Sequence, residues 1–123
     1  MSRFREAVES GDADALDASL AEDVVFKSPV VFKPYHGREA VGGLLRAVAT
    51  VFRELRYLDE LHRDGRTALV FTARVGDRDL EGIDLLETNA DGLVQRLTVF
   101  VRPLSAAQAL AAAVQAALAE RAS

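Results

Sequence analysis

Asp84 is the residue whose type and position most invite chemistry. It lies in the segment 82–87, GIDLLE, where it is an ionisable group among apolar neighbours in a predicted strand. Such a carboxyl group either faces water or lies in a pocket. In a pocket, desolvation raises its pKa and suits it to act as a general acid or base near neutral pH.

Histidines offer a second source of acid–base chemistry. His36 precedes the third predicted helix. It is either a catalytic base near the expected mouth of a pocket, or a residue that is exposed or contacts the start of that helix. His62 lies beside a predicted turn, where we expect it to be solvated. Two histidines this far apart, in a chain without cysteine, give no metal-ligand spacing. We therefore predict no metal and no cofactor.

The composition limits the class of protein. A chain of 123 residues suits one domain, and we predict a single domain over residues 1–123. The net charge of −4, without clustered Lys and Arg, argues against a nucleic-acid or anionic-membrane partner. Residues 1–6 carry charge where a signal peptide is apolar, and no apolar run has membrane length. These features predict a cytoplasmic protein.

Helices dominate the first half of the chain. The spacing predicts a helix from Phe4 to Gly11, and a second helix capped by Asp12 that runs to about Leu20. A short strand follows at 24–26. The long third helix begins near Gly37, with its apolar stripe at positions 41, 44, 45, 48, 51, 52 and 55.

Strands dominate the second half. Turn residues separate predicted strands at 56–63, 67–75, 79–87 and 93–102, and a closing helix follows Pro103. Connections this short join antiparallel neighbours. The order predicts an α+β fold in which helices cover the concave face of a strongly curved antiparallel sheet. Such a sheet forms a cone-shaped pocket.

The strand pattern leaves the position of Asp84 open. Alternation places it on one face with Gly82 and Leu86, and we expect Val70 and Thr72 to lie across from it. The opposite face of this hairpin is the more apolar and would form the core. This slightly favours a position in which Asp84 faces solvent. Apolar residues also lie on its own face, so both faces are expected to be covered.

Several segments resemble one superfamily. They are residues 11–16 (GDADAL), 20–26 (LAEDVVF), 37–41 (GREAV), 83–86 (IDLL) and 91–94 (DGLV). In order and spacing they resemble the nuclear transport factor 2-like superfamily. The most similar branch is the SnoaL-like one, which includes polyketide cyclases, and ketosteroid isomerase shares the fold. The resemblance implies a cone-shaped fold and a homodimer formed through the outer face of the sheet.

The resemblance also implies roles for single residues. Asp84 matches an aspartic acid that ketosteroid isomerase keeps protonated in its pocket as a hydrogen-bond donor to a developing oxyanion. The general base of that enzyme falls on Ser28, its oxyanion tyrosine on Phe4, and a supporting tyrosine on Leu45. A serine cannot take a proton from carbon without a neighbouring base, so the isomerase mechanism does not carry over. The residues predicted to line the pocket beside Asp84 are Phe4, Ser28, Tyr35, Leu45, Val70, Thr72 and Leu86.

Three functions remain open from the sequence. The first is a domain that binds a small, mostly apolar ligand and acts as an isomerase or cyclase, with Asp84 as general acid or base. The second is a non-catalytic, homodimeric binding or interaction module of the same fold. A protein-interaction adaptor is a third, which rests on fold analogy alone.

Overall fold

Helices and strands follow one another in nearly the predicted order in the computed structural model, which describes residues 2–122. The elements are α1 (Arg3–Ser10), α2 (Ala13–Ala18), β1 (Leu20–Lys27), β2 (Tyr35–His36), α3 (Arg38–Val51), β3 (Arg53–Arg63), β4 (Arg66–Val75), β5 (Arg78–Thr88), β6 (Val94–Arg102) and α4 (Leu104–Ala122). The strands β3 to β6 begin and end within three residues of their predicted positions.

Local sequence signals set the first two helices. The Ser2 hydroxyl accepts a hydrogen bond from the backbone N–H of Arg5 and caps the start of α1. Gly11 ends that helix with a left-handed backbone, φ 71°, which glycine adopts without a steric cost. Asp12 then accepts hydrogen bonds from the N–H groups of Asp14 and Ala15 and starts α2. The predicted end of α1 and the predicted start of α2 are confirmed, but α2 ends at Ala18, and Leu20, near which its end was predicted, already belongs to β1.

The third helix is shorter than its apolar stripe predicted. It ends at Val51, and Phe52 is already extended with ψ 134°. Leu55 belongs to β3, which pairs with β4 from Arg53 onwards. Its place in the helical stripe was a wrong prediction, because hydrogen bonding to the sheet outweighs a chance continuation of helical spacing.

The sheet is mixed, with the strand order β2-β1-β6-β5-β4-β3, and it does not close into a barrel. The β1–β6 pair is parallel, whereas the other described pairs are antiparallel. The α+β class is confirmed, and the purely antiparallel sheet is corrected. The parallel pair arises because β6 returns beside β1, an element far away in the sequence.

Pairing between β4 and β5 places Asp84 on the inner face. Asp84 lies opposite Leu69, and Gly82 lies opposite Phe71. The expected pairing with Val70 and Thr72 was wrong, because the tight turn pairs Val75 with Arg78 and shifts the register by one residue. A shift of one residue exchanges the two faces of a strand. Asp84 therefore shares the face on which Leu69 and Phe71 are buried, and not the face of Val70.

The core lies between this inner face and the helices. One buried cluster joins α1, α3 and the strands around Leu69 and Leu97, and a second joins Phe71 to Leu110 of α4. The closing helix thus packs against the sheet of its own chain.

Candidate active site

A cavity of about 850 Å³ lies between the inner face of the sheet and the helices. Most of its wall is apolar and comes from α1, α3, α4 and the inner strands. Polar side chains among the lining residues are those of Glu9, Asp12, Ser28, Tyr35, Arg46, Thr50, Tyr57, Asp84 and Gln115. An apolar cavity of this size with a few polar groups is typical of a small-molecule site.

Asp84 is buried in the wall of this cavity. Only 8% of the residue is exposed, and its Oδ2 atom accepts a hydrogen bond of 3.2 Å from the Tyr57 hydroxyl. Burial raises the pKa of Asp84 to about 7, while the hydrogen bond from Tyr57 acts in the opposite direction. A carboxyl group whose pKa is raised toward neutrality has the property that a general acid or base requires.

Tyr57 is the donor in this pair. Burial, and next the charge of Asp84, raise the pKa of Tyr57 well above its usual range, so the hydroxyl keeps its proton. Its ring meets the ring of Phe71 edge-on, with 6.2 Å between centroids. The Arg5 guanidinium lies 5.4 Å from the centroid of the Tyr57 ring. Tyr57 was missed as a site residue from the sequence, because tyrosines in strands are usually packing residues.

Gly82 makes room for the aromatic part of the site. A Cβ atom at this position would lie 2.3 Å from Cζ of Phe71 and 2.8 Å from the Phe100 carbonyl oxygen. The Phe71 ring therefore lies over the backbone of Gly82, where no side chain intervenes. Gly82 is two residues before Asp84 in β5 and lies on the same face. Tyr57 packs on this ring and reaches the carboxyl group from β3. Glycine here is required by close approach of an aromatic ring.

A family comparison identifies the chain. The model of the SnoaL-like domain matches residues 1–102. The protein belongs to the SnoaL-like domain family. No curated protein sequence matches this SnoaL-like domain.

Solved structures agree with this assignment. A steroid delta-isomerase from Pseudomonas aeruginosa is 38% identical, with a TM-score of 0.92 over 96% of this chain and 88% of that chain. An uncharacterised protein with a cystatin-like fold from Silicibacter pomeroyi is also 38% identical, with a TM-score of 0.88 over 93% and 81% of the two chains. An NTF2-like protein from Mesorhizobium loti is 22% identical, with a TM-score of 0.73 over 82% and 86%, and shows the shared fold alone.

Four of the predicted lining residues lie along the cavity of the SnoaL-like domain beside Asp84, namely Phe4, Ser28, Tyr35 and Leu45. The Ser28 hydroxyl accepts hydrogen bonds from the N–H groups of Val30 and Val31, at 3.0 and 3.3 Å. It thereby orders the turn after β1. The structure leaves Phe4 and Leu45 as apolar wall residues.

The structure does not bring the other predicted site residues of the SnoaL-like domain to the cavity. His36 is exposed in β2, where it pairs with Val25, and it is not among the residues that line the cavity. Val70 and Thr72 lie on the outer face because of the register shift described above. Leu86 is on the inner face but is fully buried in the core.

Other kinds of site find no support in the described residues of the SnoaL-like domain. Between residues 2 and 122, no three His, Cys, Asp or Glu side chains are grouped so that they could hold a metal ion. Over the same part of the chain, no helix combines the length and the apolar character needed to cross a membrane.

Proposed function

We propose that this SnoaL-like domain binds a small, mostly apolar ligand in the cavity and catalyses proton transfer next to a carbonyl group of that ligand, as an isomerase or cyclase does. The observation that carries the proposal is the Asp84–Tyr57 pair, in which a buried carboxyl group with a raised pKa accepts a hydrogen bond from a partly buried phenol in an apolar wall. Such perturbed groups cluster at catalytic sites.

The proposed chemistry uses the two groups differently. Asp84, ionised, takes a proton from the carbon next to the ligand carbonyl. The electron pair of that C–H bond forms a carbon–carbon double bond, and the π pair of the carbonyl group moves onto its oxygen to give an enolate. The Tyr57 hydroxyl turns its hydrogen bond to this oxygen, where negative charge develops. In an isomerase the protonated Asp84 then returns the proton to a carbon further along the conjugated system. In a cyclase the enolate carbon attacks a second carbonyl group, and Asp84 supplies the proton to the new alkoxide.

Two further observations support an enzyme of this class. The cavity has room for a multi-ring apolar molecule, since small-molecule sites span about 300–1,000 Å³. A solved relative at 38% identity is described as a steroid delta-isomerase. This similarity favours chemistry on a ketone, but it does not identify the ligand of this chain.

The experiment is a proton-exchange assay with a β,γ-unsaturated steroid ketone as the probe. Incubation in D2O, followed by NMR, measures exchange next to the carbonyl group, and absorbance detects any conjugated product. We expect the unmodified protein to accelerate exchange, Asp84→Asn to lose this acceleration, and Asp91→Asn to keep it. Asp91 is a matched control because it is an exposed aspartate in the β5–β6 turn. Equal exchange by Asp84→Asn and the unmodified protein would contradict a catalytic role.

The second candidate is a non-catalytic homodimeric ligand-binding module. It is favoured by the apolar Phe4 and Leu45 at the two tyrosine positions that the resemblance implied, and by Ser28, whose hydroxyl orders a turn. This candidate predicts that the probe stabilises the protein against heat without exchange, and that Asp84→Asn binds the probe equally well.

Both candidates include a homodimer through the outer face of the sheet. Val70, Ile83 and Phe100 form one row across β4, β5 and β6 on that face. Ile83 is 39% exposed and Phe100 is 55% exposed, which is unusual for large apolar side chains in neighbouring strands. An apolar row of this kind can pack against the same row of a second copy across a two-fold axis.

A further inference from the structure

A β-bulge turns two polar side chains of β3 toward the core. Tyr57 pairs with Phe71 and Asp59 pairs with Val70, so Leu58 is an extra residue without a partner position. In a regular strand, residues three apart point to opposite faces. The bulge places Tyr57 and Glu60 on the same inner face, where Glu60 lies opposite Leu69.

Arg5 of α1 connects these two side chains. Its Nη1 atom donates a hydrogen bond of 2.8 Å to Oε1 of Glu60, and its guanidinium lies 5.4 Å from the centroid of the Tyr57 ring. Glu60 is further held by a close contact to His62. The side chains of Arg5 and Glu60 are only 22% and 13% exposed, so solvent screens this ion pair less than a fully exposed one.

The cluster stands at the back of the candidate site. Arg5 is not placed to touch a ligand, since it is not among the residues that line the cavity. It contacts Tyr57, whose hydroxyl reaches Asp84. Phe71 meets the same tyrosine ring edge-on. Arg5 and Phe71 therefore both contact the ring that carries the donor hydroxyl.

We propose that Arg5 is a positioning residue of the site: anchored by Glu60, it holds the Tyr57 ring so that the hydroxyl points at Asp84. The inference rests on the proposed function only in taking the Tyr57–Asp84 pair as the site. It concerns the geometry of that pair in the ligand-free protein. A planar guanidinium fixed by a carboxylate and packed on an aromatic face suits this role better than a flexible ammonium group.

The charged and titratable groups around the pair determine the sign of the expected effect. They are Arg5 and Glu9 on α1, Tyr57, Glu60 and His62 on β3, and Asp84 itself on β5. The Tyr57 hydrogen bond stabilises the ionised form of Asp84 and so lowers its pKa. A tyrosine that is no longer held donates this bond less of the time, and the pKa of Asp84 then rises.

The experiment is a double-mutant cycle read by NMR titration of the Asp84 carboxyl carbon in the ligand-free chain of residues 1–123. We expect Arg5→Met to raise the midpoint of the Asp84 titration by about half a pH unit. In the Tyr57→Phe background, we expect Arg5→Met to leave the midpoint unchanged. An unchanged midpoint in the Tyr57-containing protein overturns the proposal. An equal rise in both backgrounds also overturns it, because Arg5 then acts through its charge alone.

Glu60→Gln supplies a second test that does not remove Arg5. Direct electrostatics predicts that loss of a negative charge lowers the pKa of Asp84. Loss of the anchor of Arg5 predicts the reverse, a rise that disappears in the Tyr57→Phe background. A lowered or unchanged midpoint in Glu60→Gln counts against the positioning role. This variant decides the question even if Arg5→Met does not fold.

These readouts separate the inference from the proposed function. The titrations need no ligand and no turnover. If the protein does not catalyse proton exchange in the ketone, the enzyme proposal is refuted. The double-mutant cycle can still be interpreted in that case. Conversely, if the enzyme is active and Arg5→Met leaves the midpoint of the Asp84 titration unchanged, only the positioning role is refuted.

Discussion

The Tyr57 hydroxyl donates a hydrogen bond of 3.2 Å to Oδ2 of Asp84 inside an apolar wall. Two strands supply the pair, β3 and β5, with the buried strand β4 between them. The carboxyl group of Asp84 thus lies in the cavity wall, accepts a hydrogen bond from Tyr57 and is only slightly exposed to solvent. This relationship gives the SnoaL-like domain both a titratable acid and a group that can stabilise charge on an oxygen atom.

Asp84 makes the stability of the protein depend on pH. Its pKa is raised from 3.8 to about 7 in the folded state, so folding favours the protonated form. The stability that this group contributes is complete below about pH 4 and is lost as the pH rises toward 7, at about 1.4 kcal/mol per pH unit. We expect the free energy of unfolding of Asp84→Asn, measured in urea between pH 4 and pH 8, to lack this decline.

The comparison must be made as a difference between the variant and the unmodified protein, so that the two share every other group. Asp91→Asn is the control, and its curve is expected to run parallel to that of the unmodified protein. If the Asp84→Asn curve also runs parallel, the carboxyl group is not desolvated in solution.

Tyr57→Phe removes the donor without removing the ring. Above pH 8, where Asp84 is ionised, the loss leaves a buried carboxylate without its hydrogen bond, and we expect a cost of about 1.5–3 kcal/mol. At pH 5 the carboxyl group is protonated and neutral, so we expect a smaller cost. Urea unfolding at the two pH values measures the difference, with Tyr35→Phe as the control on another tyrosine of the cavity wall. A cost that is the same at both pH values would argue against the pair.

Gly82→Ala tests the packing on which the pair depends. The added methyl group meets the Phe71 ring and the fixed carbonyl oxygen of Phe100, so we expect a loss of about 1–3 kcal/mol in the free energy of unfolding. Gly43→Ala is the matched control. Nothing lies within 4 Å of a Cβ atom at Gly43, and alanine is the better helix former there by about 1 kcal/mol. The midpoint temperature of unfolding should therefore fall for Gly82→Ala and rise for Gly43→Ala. A shift of the same sign in both variants would contradict the packing described.

Much of the fold could be predicted from the sequence because its signals are local. Gly11, Asp12 and the turn residues of the second half act within a few positions of themselves. The family resemblance then supplied the inner position of Asp84, which strand alternation alone had left open. The parallel β1–β6 pair was not predictable in this way, since it joins segments more than 60 residues apart that carry no mutual signature.

The partner of Asp84 could not be predicted for a related reason. Tyr57 faces inward in a strand that was predicted to begin three residues later than it does, and a bulge at Leu58 brings Glu60 to the same face. No pattern in the sequence indicated that bulge. The assignment of Val70 and Thr72 to the pocket failed because it depended on a single-residue register, which the tight turn at residues 76–77 sets differently.

The outer face offers a test of the proposed dimer. Ile83→Lys places a charge in the middle of the exposed apolar row, and we expect it to convert a homodimer into a monomer at micromolar concentration. Light scattering after size-exclusion chromatography gives the mass of each species. Phe32→Lys is the control, since Phe32 is fully exposed at a position away from the sheet. A monomeric mass for the unmodified protein would reject the dimer.

The proposed chemistry depends on Asp84 being a buried acid with a pKa near 7 in the cavity. Titration of its carboxyl carbon in the unmodified, ligand-free protein tests this most directly, with the signal assigned by its absence in Asp84→Asn. We expect a midpoint at about pH 7. A midpoint near 4, the value of a solvated aspartate, would contradict it.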